Sequence, residues 1–135
     1  MLLLVRRIVL ILFWALAMPI VSGYAQSFPD RPVALVVPWP AGGPTDRMAR
    51  VLAELVGGQL RQPVVIENKP GAGGTLGIGN MAGNARADGY TVGLYSSGML
   101  RVPHLQKTAW HPINDFTFIT GVAASTGNNF GFVVR

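Results

Sequence analysis

The chain has 135 residues, of which 50% are hydrophobic and none is cysteine, and its formal net charge is +5 at pH 7. This length predicts one domain rather than a two-domain enzyme. The lack of cysteine excludes disulfides, thiolate zinc sites, iron–sulfur clusters and a cysteine nucleophile. Two of the eleven basic residues are Arg6 and Arg7, and the other basic residues are scattered singly. Because nucleic-acid binding needs a clustered basic face, we predict no nucleic-acid partner.

The first 25 residues have the organisation of a secretory signal peptide. A basic start, Met1–Arg7, precedes an unbroken apolar run, Ile8–Met18, and small residues, Gly23 and Ala25, occupy the positions that precede a cleavage site. A membrane anchor is the alternative, but the apolar run is shorter than the roughly 20 residues that span a bilayer. We therefore predict export and cleavage after Ala25, which leaves residues 26–135 as the mature domain. General secretion is the preferred route, and the arginine pair leaves twin-arginine export open.

The mature chain begins with a predicted strand and a predicted helix. Pro32–Pro38 is a continuous apolar, β-branched run, which favours a strand buried on both faces. Apolar residues at helical spacing follow Pro44 and predict one packed stripe. The stripe consists of Met48, Val51, Leu52, Leu55, Val56 and Leu60. Thr45 is the expected N-cap, and Asp46 lies in the first turn, where the helix dipole favours an anion.

The same alternation continues along the chain. Pro63–Glu67 predicts a second strand, and Thr75–Ala85 predicts a glycine-rich helix that needs tertiary packing for stability. Tyr90–Tyr95 follows an Asp-Gly turn and predicts a third strand. Two successive βαβ units predict an α/β fold with a parallel sheet and right-handed crossovers. Weaker strand candidates are Phe116–Val122 and Phe130–Val134, and no element is assigned to Gly98–Pro112.

The loops after the first and third strands form the predicted ligand site. Ligands bind open parallel sheets beyond the carboxyl ends of the strands, where the strand order reverses. A 2-1-3 order would bring Trp39–Gly43 and Ser96–Gly98 together there. The first loop leads into a helix N-terminus, which attracts carboxylates and phosphates, and Gly42 and Gly43 leave it open. The alternative is that the first loop is only a tight strand-to-helix turn.

A second glycine-rich segment, Gly71–Gly77, has a spacing that matches a dinucleotide-binding loop. That motif requires the first strand of the sheet before it and an acidic residue at the end of the next strand. Here the preceding strand is the second one, and Asp88 lies in a turn. Nucleotide binding, which would imply an enzyme, is therefore the weaker interpretation. A second anion-accepting loop or close backbone packing is preferred.

No set of catalytic or metal-binding residues is recognisable. His104 and His111 are seven residues apart in an irregular stretch, which favours surface or capping positions over metal ligation. Ser96-Ser97-Gly98 does not match the nucleophile elbow G-x-S-x-G, and the six carboxylates are not paired. We therefore predict a protein that is not an enzyme and uses no cofactor or metal. A binding protein and a single-lobe structural or interaction protein are the remaining classes.

Four motifs in order carry a family resemblance. They are PDRP (Pro29–Pro32), VVPWPAGGPTDRMAR (Val36–Arg50), QPVVIENKPGAGGTLG (Gln62–Gly77) and ADGYTVGLYSS (Ala87–Ser97). Together with the segment His111–Thr117, they resemble the periplasmic receptors of tripartite tricarboxylate transporters, often called Bug-type solute-binding proteins. The resemblance implies a type II periplasmic binding fold whose two lobes close on a small carboxylate. It also implies the membrane components of the transporter as partners, and we expect a monomer.

The resemblance further implies a set of ligand-binding residues. The first-lobe anion loop would comprise Pro40, Ala41, Gly42, Gly43 and Asp46, facing Ser96 and Ser97, with Gly71, Ala72, Gly73 and Gly74 as additional candidates. In the family, a second lobe follows the region that corresponds to the end of this sequence. We therefore expect residues 26–135 to be a truncated first lobe whose function as a receptor is impaired or lost.

Overall fold

The computed structural model describes residues 27–125 and 128–135; the predicted signal peptide and its cleavage site lie outside this part of the chain. In chain order, the regular elements are β1 (Val33–Val37), α1 (Pro44–Leu60), β2 (Val64–Asn68), α2 (Thr75–Asn84), β3 (Thr91–Ser96), α3 (Val102–Leu105), β4 (Thr117–Ser125) and β5 (Asn128–Val134). Two 3₁₀ turns, Ala72–Gly74 and Ser97–Arg101, precede α2 and α3.

The strands form one mixed sheet in the order β2-β1-β3-β5-β4. β1 lies parallel to both of its neighbours, with Val33 paired to Val64 and Ala34 paired to Thr91. β5 then runs antiparallel to β3, and β4 antiparallel to β5. The predicted α/β class is therefore confirmed, and the parallel strands have the 2-1-3 order on which the predicted ligand site depends.

The two longer helices pack on opposite faces of the sheet. Ala49 of α1 lies in a buried cluster with Leu35 and Val37 of β1. The other cluster joins α2 to β3, β5 and the segments between them: Ile78, Met81, Ala82, Tyr95, Met99, Phe116 and Val133. Because the chain crosses to the other face between β1 and β3, the strand order reverses there, and a crevice is expected at the carboxyl ends of these two strands.

The start of α1 differs from the sequence prediction. Its N-cap is Gly43, which makes no side-chain capping bond, and Pro44 is the first helical residue. Proline suits this position because its φ is already helical and the N–H that it lacks would have no partner within the helix. Thr45 consequently lies inside the first turn, and its prediction as the N-cap was wrong.

The predicted packed stripe of α1 is wrong for three of its six residues. Val51, Leu55 and Val56 are 59%, 63% and 41% exposed, respectively. The face that meets β1 and β2 instead carries the small residues Ala49 and Ala53. Small side chains let the helix approach the sheet closely, so the larger apolar residues are displaced to its flanks. An apolar cavity of about 210 Å³ lies between α1 and the sheet.

α2 is stabilised by close packing, as its glycine content predicted. A Cβ added at Gly77 would lie 2.7 Å from the carbonyl oxygen of Lys69, and one added at Gly79 would lie 2.8 Å from the Trp110 indole nitrogen. The glycines therefore allow the helix to touch the loop after β2 on one side and an indole ring on the other. For Gly77, this supports the interpretation of Gly71–Gly77 as a packing segment.

The later part of the chain contains more regular structure than predicted. β4 and β5 are both longer than the two strand candidates, and the unassigned region contains the second 3₁₀ turn and α3. Within the residues that the structure describes, no helix combines the length and the apolar character needed to cross a membrane.

Candidate functional site

Three loops meet at the carboxyl edge of the parallel strands. The first follows β1, the second is the glycine-rich segment before α2, and the third follows β3. A Cβ added at Gly74 would lie 2.8 Å from Met99 Cε and 3.6 Å from Pro38 Cβ, so the second loop lies against both of the others. Trp39 in turn packs edge-to-face on Phe130, whose strand partner is Ser96, with the ring centroids 5.4 Å apart. The structure therefore brings together the three loops that carry the predicted ligand-binding residues.

The β1–α1 loop turns tightly into the helix. Pro40 and Ala41 are exposed, and Gly42 has a φ of +80°, a conformation that glycine adopts without strain. Gly43 is extended, with φ −70° and ψ 170°, and its N–H lies 3.4 Å from the Pro40 carbonyl oxygen. The first intrahelical bond runs from the Arg47 N–H to the Gly43 carbonyl at 3.0 Å. The amides of Thr45 and Asp46 thus lie at the helix start without a partner inside the helix.

Asp46 is buried, and its carboxylate accepts four hydrogen bonds. The donors are the Gly42 N–H at 2.8 Å, Arg50 Nε at 2.8 Å, Arg50 Nη2 at 3.1 Å and Asn68 Nδ2 at 2.8 Å. The bonds from Arg50 lower the pKa of Asp46 most, followed by those from Gly42 and Asn68, and together they outweigh the opposing effect of burial. Asp46 is therefore a charged structural centre of the loop whose oxygens are already occupied.

Asn68 joins β2 to this loop, and the sequence analysis missed it. Its Nδ2 donates to the Trp39 carbonyl at 3.1 Å as well as to Asp46, and its Oδ1 accepts a bond from Arg50 at 3.3 Å. The sequence carried one usable signal. Asn68 follows the predicted second strand directly, at the edge where the ends of parallel strands meet.

The loop after β3 places Ser96 and Ser97 at the same edge. Ser96 is buried and forms the N-cap of a 3₁₀ turn that begins at Ser97, while Met99 from the same turn enters the core. Ser97 also lines a cavity of about 340 Å³ together with Tyr95 and Phe130. Burial raises the pKa of Tyr95 to about 12, and its hydroxyl donates to the Pro112 carbonyl at 3.3 Å. Tyr95 is thus a neutral hydrogen-bond donor.

The glycine-rich loop before α2 combines open and packed positions. Gly71, Ala72 and Gly73 are exposed and all have positive φ, whereas Gly74 is buried against Met99 and Pro38. The Thr75 hydroxyl donates to the Ala72 carbonyl at 2.8 Å and closes the turn. This loop is held by its own backbone geometry and by packing on the β1 loop.

The two histidines lie later in the chain, in α3 and in the segment between α3 and β4. His111 Nδ1 accepts the backbone N–H groups of Ile113 and Asn114 at 3.2 and 3.1 Å, so this histidine is a capping residue, as one of its interpretations proposed. His104 is exposed near the end of α3. Across residues 27–125 and 128–135, no three histidine, aspartate or glutamate side chains are placed to hold a metal ion.

The fold defines a class of protein: one α/β lobe with three loops at the carboxyl edge of the parallel strands of a mixed sheet. Comparison with known proteins then identifies the family. The family model described as "Tripartite tricarboxylate transporter family receptor" matches residues 48–135, and the chain belongs to this family.

Relatives in sequence and structure agree with this assignment. The chain is 43% identical over 118 residues to a UPF0065 protein from the gbd 5′ region of Cupriavidus necator, covering 87% of this chain and 35% of that one. The periplasmic binding protein BugD matches with a TM-score of 0.66 and 46% identity, over 70% of this chain and 32% of its own. MatC from Rhodopseudomonas palustris, solved with bound malate, matches with a TM-score of 0.62 and 40% identity, over 70% and 33%. The chain thus spans about a third of the length of these relatives.

Proposed function

We propose that the chain provides the first lobe of an extracytoplasmic receptor that captures small carboxylates for a tripartite tricarboxylate-type transporter. Residues 26–135 would form the lobe, and residues 1–25 a signal peptide that directs it to the periplasm. The partners would be a small carboxylate and the membrane components of the transporter. No catalysis, cofactor or nucleic acid is involved, and we expect a monomer. The observation that carries the proposal is the β1–α1 loop, which presents a helix N-terminus at the point where the strand order reverses.

The arrangement of the loop indicates how a carboxylate would be held. The Gly42 N–H points inward to Asp46, which leaves the amides of Thr45 and Asp46 at the helix start as the donors for an anion. Gly42 has no neighbouring heavy atom within 4 Å of an added Cβ, so the loop is open on the side of Gly42. In this proposal, Pro40, Ala41, Gly42 and Gly43 form the wall of the site by their backbone. The Asp46 side chain shapes the loop and does not touch the ligand, whereas its backbone amide is one of the two donors.

The other two loops would provide the remaining ligand-binding residues of this lobe. Ser96 and Ser97 lie across the reversal point from the β1–α1 loop and would offer polar groups to the second end of a dicarboxylate. Gly71, Ala72, Gly73 and Gly74 are the more peripheral candidates, since the last of them is already buried by packing. The bound malate of MatC supports a small dicarboxylate as the class of ligand.

The proposal predicts weak carboxylate binding by the chain itself. A second lobe adds contacts and excludes water when it closes, so one lobe alone should bind carboxylates no better than roughly millimolar, near −4 kcal/mol. The test is an NMR titration of the ¹⁵N-labelled chain with malate, citrate, an amino acid, an aromatic acid and a nucleotide. We expect the carboxylates to shift the amide signals of Thr45, Asp46 and Ser97. Selective shifts with the nucleotide would contradict the proposal, and micromolar malate affinity would contradict the expected need for a second lobe.

The proposed signal peptide is tested separately. Expression of the full 135-residue chain in a Gram-negative host should yield a periplasmic product whose N-terminus is Gln26, as measured by mass spectrometry of the periplasmic fraction. A product that retains Met1 in the membrane fraction would support the membrane-anchor alternative instead.

A further inference from the structure

A compact polar cluster underlies the β1–α1 loop and joins three parts of the chain. It consists of Asp46 with its donors: the Gly42 N–H from the loop, Arg50 from α1 and Asn68 from the end of β2. The Asp46 side chain is 2% exposed and that of Arg50 is 54% exposed. The cluster therefore has a buried negative centre and a positive group that reaches the surface.

Asn68 fixes both ends of the loop from the neighbouring strand. Its Nδ2 bonds the Trp39 carbonyl at the start of the loop and the Asp46 carboxylate just after its end, at 3.1 and 2.8 Å. Its Oδ1 accepts a bond from Arg50, so both polar atoms of the amide are used. An amide is suited to this position because it supplies donors to two oxygens and an acceptor to a guanidinium without adding charge.

Arg50 compensates a charge that would otherwise oppose the proposed ligand. An unpaired buried carboxylate beside an anion site repels a second anion, and this repulsion grows with the charge of the ligand. Arg50 meets Asp46 through two hydrogen bonds from one guanidinium, at 2.8 and 3.1 Å. The pair is close to neutral, so the partial positive charge of the helix start remains available to the ligand.

We propose that Arg50 and Asn68 are positioning residues of the carboxylate site: Arg50 cancels the charge of Asp46, and Asn68 holds the loop in its binding shape. Neither residue touches the ligand. This inference rests on the proposed function, and it adds that discrimination between monoanions and dianions depends on a side chain outside the ligand-binding surface.

The test compares two hydroxy acids that differ in charge. Malate, a dianion, and lactate, a monoanion, are titrated by NMR against the full chain and its Arg50→Met variant. We expect the malate affinity to fall about tenfold and the lactate affinity about threefold, so that the ratio of the two decreases. We also expect this decrease to be largest at low salt, where charge interactions are least screened. Arg31→Met is the matched control, because Arg31 pairs with Asp88 at 2.9 Å and is similarly exposed at 53%.

Two further variants separate charge from shape. Arg50→Lys keeps the charge and should retain the ratio of malate affinity to lactate affinity. This variant also provides the test if Arg50→Met does not fold. Asn68→Ala should lower both affinities by a similar factor and shift the amide signals of Gly42 and Gly43, leaving the ratio unchanged. An unchanged ratio in Arg50→Met, together with unchanged loop signals in Asn68→Ala, would overturn this inference alone. Failure of the unsubstituted chain to bind malate would overturn the proposed function and this inference with it.

Discussion

The chain contains two glycine-rich turns with similar composition and different surroundings. In the first, at Gly42 and Gly43, a Cβ added at Gly42 would meet no heavy atom within 4 Å. In the second, which runs into α2, a Cβ at Gly74 would meet Met99 at 2.8 Å, and one at Gly77 would meet the Lys69 carbonyl at 2.7 Å. The first turn therefore faces open space at Gly42, whereas neighbouring atoms fill the second turn at Gly74 and Gly77 and leave it open at Gly73.

This difference shows why glycine spacing alone does not identify a ligand loop. A glycine can be required because a ligand approaches the backbone or because another part of the protein does, and both produce the same sequence. The deciding information is what lies opposite each glycine, and that depends on residues far away in the chain. Here Met99 and Lys69 fill the space opposite Gly74 and Gly77 of the second turn. This packing favours the β1–α1 loop as the primary anion site.

The largest expected effect comes from filling the packed turn. Gly77→Ala places a Cβ against a backbone carbonyl that cannot rotate away, and we expect it to lower the free energy of unfolding by about 3 kcal/mol. Gly83→Ala is the matched control, because it lies in the same helix with nothing within 4 Å. It should raise the free energy of unfolding by about 0.5–1 kcal/mol through helix propensity. Urea denaturation measures both, and equal effects would contradict the packing explanation.

Filling the open turn should affect binding instead of stability. Gly43 has φ −70°, so valine can adopt its conformation, although the added Cβ would lie 3.3 Å from the Pro40 oxygen. We expect Gly43→Val to weaken malate binding at least tenfold, about 1.4 kcal/mol, with the fold retained. Gly58→Val, near the far end of α1, is the control and should leave affinity unchanged. Unchanged affinity in Gly43→Val would remove this loop from the site.

The framework of the fold was predictable because its signals are local. β1, β2 and β3 are short apolar runs between turn residues, and each observed strand begins and ends within one residue of its prediction. Their parallel direction and right-handed connections follow from the βαβ units, whereas the 2-1-3 order was an assumption, because right-handed crossovers also allow a 1-2-3 order. The burial pattern of α1 was not predictable in the same way, because Ala49 and Ala53 carry a weaker hydrophobic signal than the larger residues beside them.

The position of the candidate site was predictable from the sequence, but its hydrogen bonds were not. The loops were expected at the reversal point on general topology, and the structure brings them there. Asp46 was assigned to the ligand by resemblance, whereas its oxygens are occupied by Arg50, Asn68 and a loop amide. These bonds depend on the register between β1 and β2, which pairs Val37 with Asn68, and no local pattern encodes that register.

A smaller effect is expected at Gly73, which is open but strained for other residues. Its φ is +66°, and a Cβ there would meet nothing within 4 Å. Gly73→Ala should therefore lower the free energy of unfolding by about 1 kcal/mol through backbone strain alone, and Gly73→Asn by less, since asparagine tolerates this conformation. Urea denaturation of the two variants checks the order. A larger loss for asparagine than for alanine would show that steric packing limits this turn as well.

The smallest expected effect is a difference in acid sensitivity that originates from Asp46. Hydrogen bonds from Arg50, Gly42 and Asn68 hold its pKa below the usual value of about 3.9, so the unfolded chain takes up a proton at this carboxyl before the folded chain does. The stabilisation is fully present above about pH 5, where the carboxyl is ionised in both states, and it is lost as the pH falls towards the pKa of the folded state. Asp46→Asn removes this titration, so the difference in free energy of unfolding between the variant and the unsubstituted chain should narrow as the pH falls from 5 to 2.

Urea denaturation across that range measures this gap, and Glu54→Gln is the control, because it removes one carboxylate from an exposed position of the same helix. A gap that stays constant with pH would mean that Asp46 does not hold its charge more strongly in the folded chain, and the loop would then be held by its backbone alone.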